Sequence, residues 1–138
     1  MNDRTGAVLR EYGYHGSIVT MPNGTNPPVL TAAERETALN RYPLREGVPV
    51  LIFAGQQNHK KNTDSILRAC ACLLKRGLDF QLVMVGDGPD AHALRTLAQD
   101  LDIDGHVLFT GFLSHRPTLM TLYERADLMV FPSLYDNA

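Results

Sequence analysis

Tryptophan is missing from this 138-residue chain, cysteine occurs only twice, and aromatic residues make up 7%. Two cysteines cannot build a disulfide framework. Cys70 and Cys72 sit two apart in a helical pattern, where their side chains diverge. With no second pair there is no zinc site of that type, and both read as small buried residues in a reducing compartment. No apolar run approaches the roughly 18 residues of a membrane span. The opening MNDRTGAVLR lacks the apolar core of a signal peptide. Both absences lead to the expectation of a cytoplasmic protein. Excess charge is scarce too: Lys plus Arg number 13 and Asp plus Glu 15, a net charge of −2. That excludes a broadly basic nucleic-acid binder.

What is present is ordinary globular composition, 44% hydrophobic and 20% charged, in a chain about the length of one domain. The charge is unevenly spread. Residues 1–54 balance. Residues 55–76 carry Lys60, Lys61, Arg68, Lys75 and Arg76 against Asp64 alone, and residues 77–138 are acidic. A basic segment in an acidic chain marks either an anion site or a solvated helix face.

From Val48 onward, short apolar runs alternate with helical patterns. Val48–Ala54, Phe80–Val85, Val107–Thr110 and Leu128–Phe131 are too short for helices and rich in β-formers. They read as strands buried on both faces of a parallel sheet. Between them, Thr63–Arg76, Asp90–Leu101 and Pro117–Ala126 each present one apolar helical face. Asn62 or Thr63 is expected to cap the first of these helices and Gly77 to close it. The order β-α-β-α-β-α-β predicts a Rossmann-like, doubly wound parallel sheet in the α/β class, in the spatial order 3-2-1-4. Residues 1–47 read as a remnant strand (Ile18–Met21), a turn at Pro22-Asn23-Gly24, a Pro-rich linker and a helix over Thr31–Arg41, with Thr31 and Glu34 forming a capping box. Residues 48–138 read as a partial domain truncated at its C-terminus, since no helix follows the fourth strand. That strand is expected at an unprotected edge, a route to self-association.

Sites in such sheets gather where the strands end. Gly86-x-Gly88-x-x-Ala91 follows a strand and opens a helix, as in dinucleotide-binding folds, where glycines let the backbone approach a phosphate. The acid that pattern calls for about 20 residues on is missing, because that position falls near Thr110-Gly111. A tight turn entering a helix explains the glycines equally. Gly55-Gln56-Gln57-Asn58-His59-Lys60-Lys61-Asn62 brings lysine to a helix N-terminus, a setting for a diphosphate. Asp136, just beyond the last strand, suits sugar hydroxyls. The histidines share no metal-binding spacing. The rim carries no Asp-x-Asp motif, since Asp102-Ile103-Asp104 falls at the other end of the sheet.

Several segments taken together carry a resemblance. They are Ile18–Thr25, Phe53-Ala54-Gly55-Gln56 with Lys61-Asn62, Val85-Gly86-Asp87-Gly88-Pro89, Val107–Gly111, Tyr123–Asp127 and Phe131-Pro132-Ser133-Leu134-Tyr135-Asp136. In order and spacing the chain resembles the family 4 (group 1) glycosyltransferases, which have the GT-B fold. The resemblance implies a donor-binding half of an enzyme that moves a sugar from a nucleotide-sugar, UDP-linked, to an acceptor hydroxyl with retention. The resemblance also implies a glycan or lipid-linked acceptor, and a full-length protein in the cytoplasm or peripheral to the inner membrane face. It implies donor contacts from Gly55, Gln56 (where the family has arginine), Lys61, Asn62, Gly86 and Gly88. Gly111, Phe112 and Leu113 match the base-contacting loop. Asp136 matches the first of two family glutamates and stands as the catalytic candidate; the second would fall beyond Ala138. No metal or cofactor is implied, and the fragment alone is expected to be inactive. A nucleotide-sugar epimerase and an NAD-linked oxidoreductase or other nucleotide-binding module remain the alternatives.

Overall fold

The computed structural model describes residues 3–19, 21, 24 and 26–134. They fall into two compact units. The N-terminal unit holds helix α1 (Asp3–Glu11). It ends at Gly13, whose φ of +85° suits glycine. The Gly13 N–H donates to the Arg10 carbonyl, and the Tyr14 N–H to the Leu9 carbonyl. The sequence pattern hides this helix because Gly6 interrupts it and few apolar residues mark a face. The strand expected at Ile18–Met21 is not formed by Ile18, Val19 or Met21, and Thr20 lies outside the described residues. Ile18 instead lays its side chain against Gly6. Pro22 and Asn23 of the expected turn also lie outside the described residues.

The second unit, Pro28–Tyr135, carries the sheet. Its elements run α2 (Ala32–Arg41), β1 (Val50–Ala54), α3 (Thr63–Lys75), β2 (Gln81–Val85), α4 (Ala91–Asp100), β3 (Val107–Gly111), α5 (Arg116–Arg125) and β4 (Leu128–Met129). The sheet is parallel in the order β3-β2-β1-β4, as expected for right-handed crossovers about a switch between β1 and β4. The capping box forms as the sequence implies. Thr31 Oγ1 accepts from the Glu34 N–H at 3.2 Å, and Glu34 Oε2 accepts from the Thr31 N–H at 2.7 Å.

Strand β2 is buried throughout, so its uninterrupted apolar run faces helices on both sides. On one face Phe53, Leu67, Leu82, Met84, Leu94 and Ile103 form the larger core with α3 and α4. On the other, Val50, Ile52, Val83 and Val85 pack on Leu122 of α5. Each fully buried Leu, Phe or Met contributes roughly 1.5–3 kcal/mol. Strand β1 begins at Val50 rather than Val48. Pro49 has no N–H to donate; its carbonyl accepts from Gln81 at 2.8 Å. Strand β4 is shorter than expected and half-exposed, with only Leu51↔Leu128 and Ile52↔Met129 in register. Burial on both faces fails there because the helices cover the centre of the sheet rather than its edge. Gly77 closes α3 at φ +76°, as expected. Cys70 is buried, and its thiol is pushed up to about 11 by desolvation. Cys72 is exposed, contrary to the expectation, because two helical residues rotate it away from the core.

Two carboxylates tie distant segments together, and a third caps a helix. Glu124 accepts from Arg35 at 2.8 Å, joining α5 to α2, and Asp79 accepts from Arg45 at 2.7 and 2.9 Å. Glu34 caps α2. The hydrogen bonds from Arg35, from Arg45 and from Thr31 hold Glu124, Asp79 and Glu34 respectively below the usual carboxylate range. Their folded-state pKa values are depressed, so their contribution is present above about pH 4–4.5 and is lost as pH falls through the folded values. The thermal midpoint is therefore expected to hold from pH 7 to about 5 and to drop below about 4. In Asp79→Asn, whose carboxylate is gone, the acid-side drop should be smaller. A parallel loss in both proteins would show that Asp79 does not contribute.

Candidate functional site

The loops after β1, β2 and β3 meet along the carboxyl ends of the strands. Gly55 N–H donates to the Val85 carbonyl at 3.0 Å, Gln57 N–H to the Asp87 carbonyl at 2.9 Å, and Gly86 N–H to the Gly111 carbonyl at 2.9 Å. The sheet's hydrogen-bond ladder thus continues past the strands and locks the loops in register. Gln57, fully buried, adds a bond from Nε2 to the Gly86 carbonyl at 3.0 Å, and its own carbonyl accepts from the Asp90 N–H at 3.1 Å.

This explains the glycines. A Cβ at Gly86 would fall on the carbonyl oxygen of Gly55, with the Gly55 carbonyl carbon at 2.9 Å; a Cβ at Gly88 would fall on the Gln57 carbonyl oxygen. Gly86 also has φ +123°, a region close to glycine-only. The space that a dinucleotide fingerprint keeps open for phosphate is filled here by the chain's own backbone. Both amides are engaged as well, Gly86 N–H by Gly111 and Gly88 N–H by Asp87 Oδ1 at 2.8 Å. The dinucleotide reading of these glycines is therefore not favoured.

Beside the locked loops opens a cleft of about 500 Å³. Of the residues singled out in the sequence, it brings together Gly55, Gln56, Gly86, Phe112 and Leu113. Gly111, at φ +70°, makes the turn that delivers Phe112, which is 76% exposed at the lip. Ala54, Val85, Asp87, Leu119 and Tyr123 complete the lining. Sequence reasoning assigned Leu119 and Tyr123 to a helix face packed in the core. They do pack there, but that face runs on past the strand ends into the cleft. Burial pushes the Tyr123 hydroxyl above its ordinary pKa. Gln56 is exposed, and its side-chain carbonyl accepts from Asn58 Nδ2 at 2.8 Å.

Gly88 stands behind the cleft, packed on Gln57. Lys61 and Asn62 lie toward β4 rather than among the cleft-lining residues. Asn58 Oδ1 accepts from the Lys61 N–H at 3.1 Å, closing a 3₁₀ turn over His59–Lys61. Asn62 takes the left-handed conformation at φ 52° and makes no side-chain cap to α3. It turns outward instead, its Nδ2 donating to the Pro132 carbonyl at 3.3 Å. The Lys61 ammonium lies 4.9 Å from the centre of the Phe131 ring. Asp136 lies outside the described residues. Among the described residues no three His, Cys, Asp or Glu side chains are grouped so as to hold a metal ion.

The family described as "Glycosyl transferases group 1" matches residues 34–138. The chain is 31% identical over 144 residues to a 2-deoxystreptamine glucosyltransferase of Streptomyces kanamyceticus, covering 99% of this chain and 36% of that protein. It is 28% identical over 135 residues to a GDP-mannose-dependent alpha-(1-6)-phosphatidylinositol dimannoside mannosyltransferase of Mycobacterium tuberculosis, covering 96% and 34%. The chain thus spans about a third of the length of these relatives. Among solved structures, sucrose-phosphate synthase from Thermosynechococcus elongatus superposes with a TM-score of 0.70 at 23% identity, over 98% of this chain and 34% of that one. The pneumococcal O-GlcNAc transferase GtfA, in complex with UDP and GlcNAc, gives 0.70 at 18% identity, over 96% and 24%. At these identities the two structures share the fold.

Proposed function

The chain belongs to the group 1 glycosyl transferases, and from that premise we propose that it supplies the donor-binding part of a family 4, hexosyl-transferring enzyme. That enzyme moves a sugar from a UDP-linked donor to an acceptor hydroxyl, on a glycan or a lipid-linked molecule, with retention and without a metal. Residues 48–138 form the donor half, and transfer belongs to the longer protein rather than to these residues alone. One observation carries the reading: a single cleft at the carboxyl ends of the strands gathers Gly55, Gln56, Gly86, Phe112 and Leu113 from three separate loops. Its walls are largely apolar and aromatic, with Gln56 and Asp87 as the polar side chains, a combination suited to a base and ribose. Lys61 and the amino end of α3 lie on the neighbouring loop and serve the diphosphate. Asp136 serves the donor sugar. Among the described residues no helix is long and apolar enough to cross a membrane; we place the enzyme in the cytoplasm or at the inner membrane face.

Titration calorimetry with UDP, GDP and NADH tests this reading. UDP is expected to bind with or without EDTA, GDP more weakly, and NADH not at all. NADH binding equal to or tighter than UDP would return the oxidoreductase reading.

The edge strand makes a second expectation. Leu128 and Met129 of β4, and Phe131 just beyond it, are each about half exposed, and open apolar edges recruit further strands. Sedimentation is expected to show mass rising with concentration. A clean monomer at high concentration would remove self-association from the account.

A further inference from the structure

Helix α5 starts at Arg116, just past the carboxyl end of β3, and returns antiparallel to the strands. Side chains on a helix lean toward its amino end, which for α5 is the end at the rim. Leu119 and Tyr123, one turn apart on the same face, therefore lean toward the cleft, and both line it. The ring of Tyr123 packs beside the smaller core, against the cluster around Leu122. Its hydroxyl is placed differently. Among the described residues, the polar side-chain atoms sealed in the interior without a hydrogen-bond partner are Gln57 Oε1 and Ser133 Oγ. The Tyr123 hydroxyl has no partner among those residues either, yet it is not sealed, and the cleft is where its side chain opens. The other polar side chains of the lining are already engaged. Gln56 Oε1 accepts from Asn58 Nδ2, and Asp87 Oδ1 accepts from the Gly88 N–H. A half-buried hydroxyl in a largely apolar wall gains from a partner that a ligand brings.

From this arrangement we infer that Tyr123 reads the donor's base, its hydroxyl donating a hydrogen bond to a carbonyl oxygen of uracil. The inference rests on the donor reading above. A base has apolar faces and carbonyl oxygens at its edge. Apolar walls suit the faces, and a phenol, an apolar body with a polar tip, suits the edge. Burial holds the phenol above its ordinary pKa, so near neutral pH it keeps its proton and can donate. Leu122, fully buried beside it, fixes α5 against the sheet, so the hydroxyl is presented from a rigid element.

The test uses this chain and two probes, UDP and inorganic pyrophosphate. With tyrosine labelled with carbon-13 at Cζ, the Tyr123 resonance is expected to move when UDP is added. It should stay in place with pyrophosphate, which brings the phosphates without a base. In titrations with UDP, Tyr123→Phe is expected to weaken binding about two- to tenfold. Pyrophosphate should behave alike toward parent and variant. The substitution removes one oxygen that has no partner among the described residues, so the thermal midpoint should match the parent's, and the lost affinity then reports the hydroxyl rather than the fold. Should the midpoint fall, the parent's Cζ response still decides. A Cζ resonance unmoved at saturating UDP overturns the inference. So does an unchanged UDP affinity in Tyr123→Phe, or an equal loss for both probes, which would place the effect on the loops instead of the base. Absence of UDP binding by the parent overturns instead the donor reading on which the inference depends.

Discussion

Gly86→Ala is expected to destabilise the chain by about 3–5 kcal/mol and to lower its thermal midpoint by roughly 10–20 °C. Two costs combine. The residue sits at φ +123°, where a side chain is strained by about 1–3 kcal/mol before any neighbour is considered. The new methyl then overlaps the Gly55 carbonyl, a main-chain group already fixed by the bond from Gly55 N–H to Val85. A flexible side chain could swing aside; this backbone can move only by breaking the ladder that joins the first two loops. Gly88→Ala meets the Gln57 carbonyl in the same way, without the positive φ, and should lose somewhat less. Gly105→Ala is the control, with nothing within 4 Å of its added methyl and no positive φ. Melting followed by circular dichroism measures all three. A Gly86→Ala midpoint equal to that of Gly105→Ala would mean that the loops are not locked as described.

UDP affinity should fall roughly 10- to 100-fold in Lys61→Ala and far less in Lys60→Ala. A hydrogen bond to a charged group contributes about 1.5–3 kcal/mol, and phosphate oxygens meeting an ammonium are of that kind. The two lysines are adjacent in sequence and identical in charge, so composition cannot separate them. Position does. Lys61 closes the 3₁₀ turn and is held over Phe131 beside the amino end of α3, whereas Lys60 is exposed and contributes its carbonyl to Leu134. Added salt should weaken the parent's binding more than that of Lys61→Ala, because one screened contact is already missing there. Equal losses in the two lysine variants would show that the diphosphate site lies elsewhere.

Periodicity is a local property, and it was enough for the architecture. The alternation of apolar runs with helical faces from Val48 onward led to a parallel sheet in the order 3-2-1-4, because chirality and short connections leave few other windings. The capping box at Thr31 and Glu34 was legible for the same reason: its partners are three residues apart. Helix α1 was not, since Gly6 breaks the only pattern that would have marked it.

The site divides along the same line. Sequence alone was sufficient to nominate Gly55, Gln56, Phe112 and Leu113, because strand ends of a parallel sheet converge on one rim. Tertiary structure decided where each nominee lies and what it packs against. Gly86 and Gly88 look alike whether they face a phosphate or a neighbouring loop, and only the approach of Gly55 and Gln57, some 30 residues away, makes them packing residues. Tyr123 reads as core until the helix is seen to overrun the sheet into the cleft. The clasp between the loops after β1 and β4, closed by Asn62 on Pro132 and by Phe131 under Lys61, joins residues 70 apart. No local pattern encodes such contacts. They exist because the switch in strand order sets the first and last strands side by side, and what meets there depends on the packing of the whole sheet.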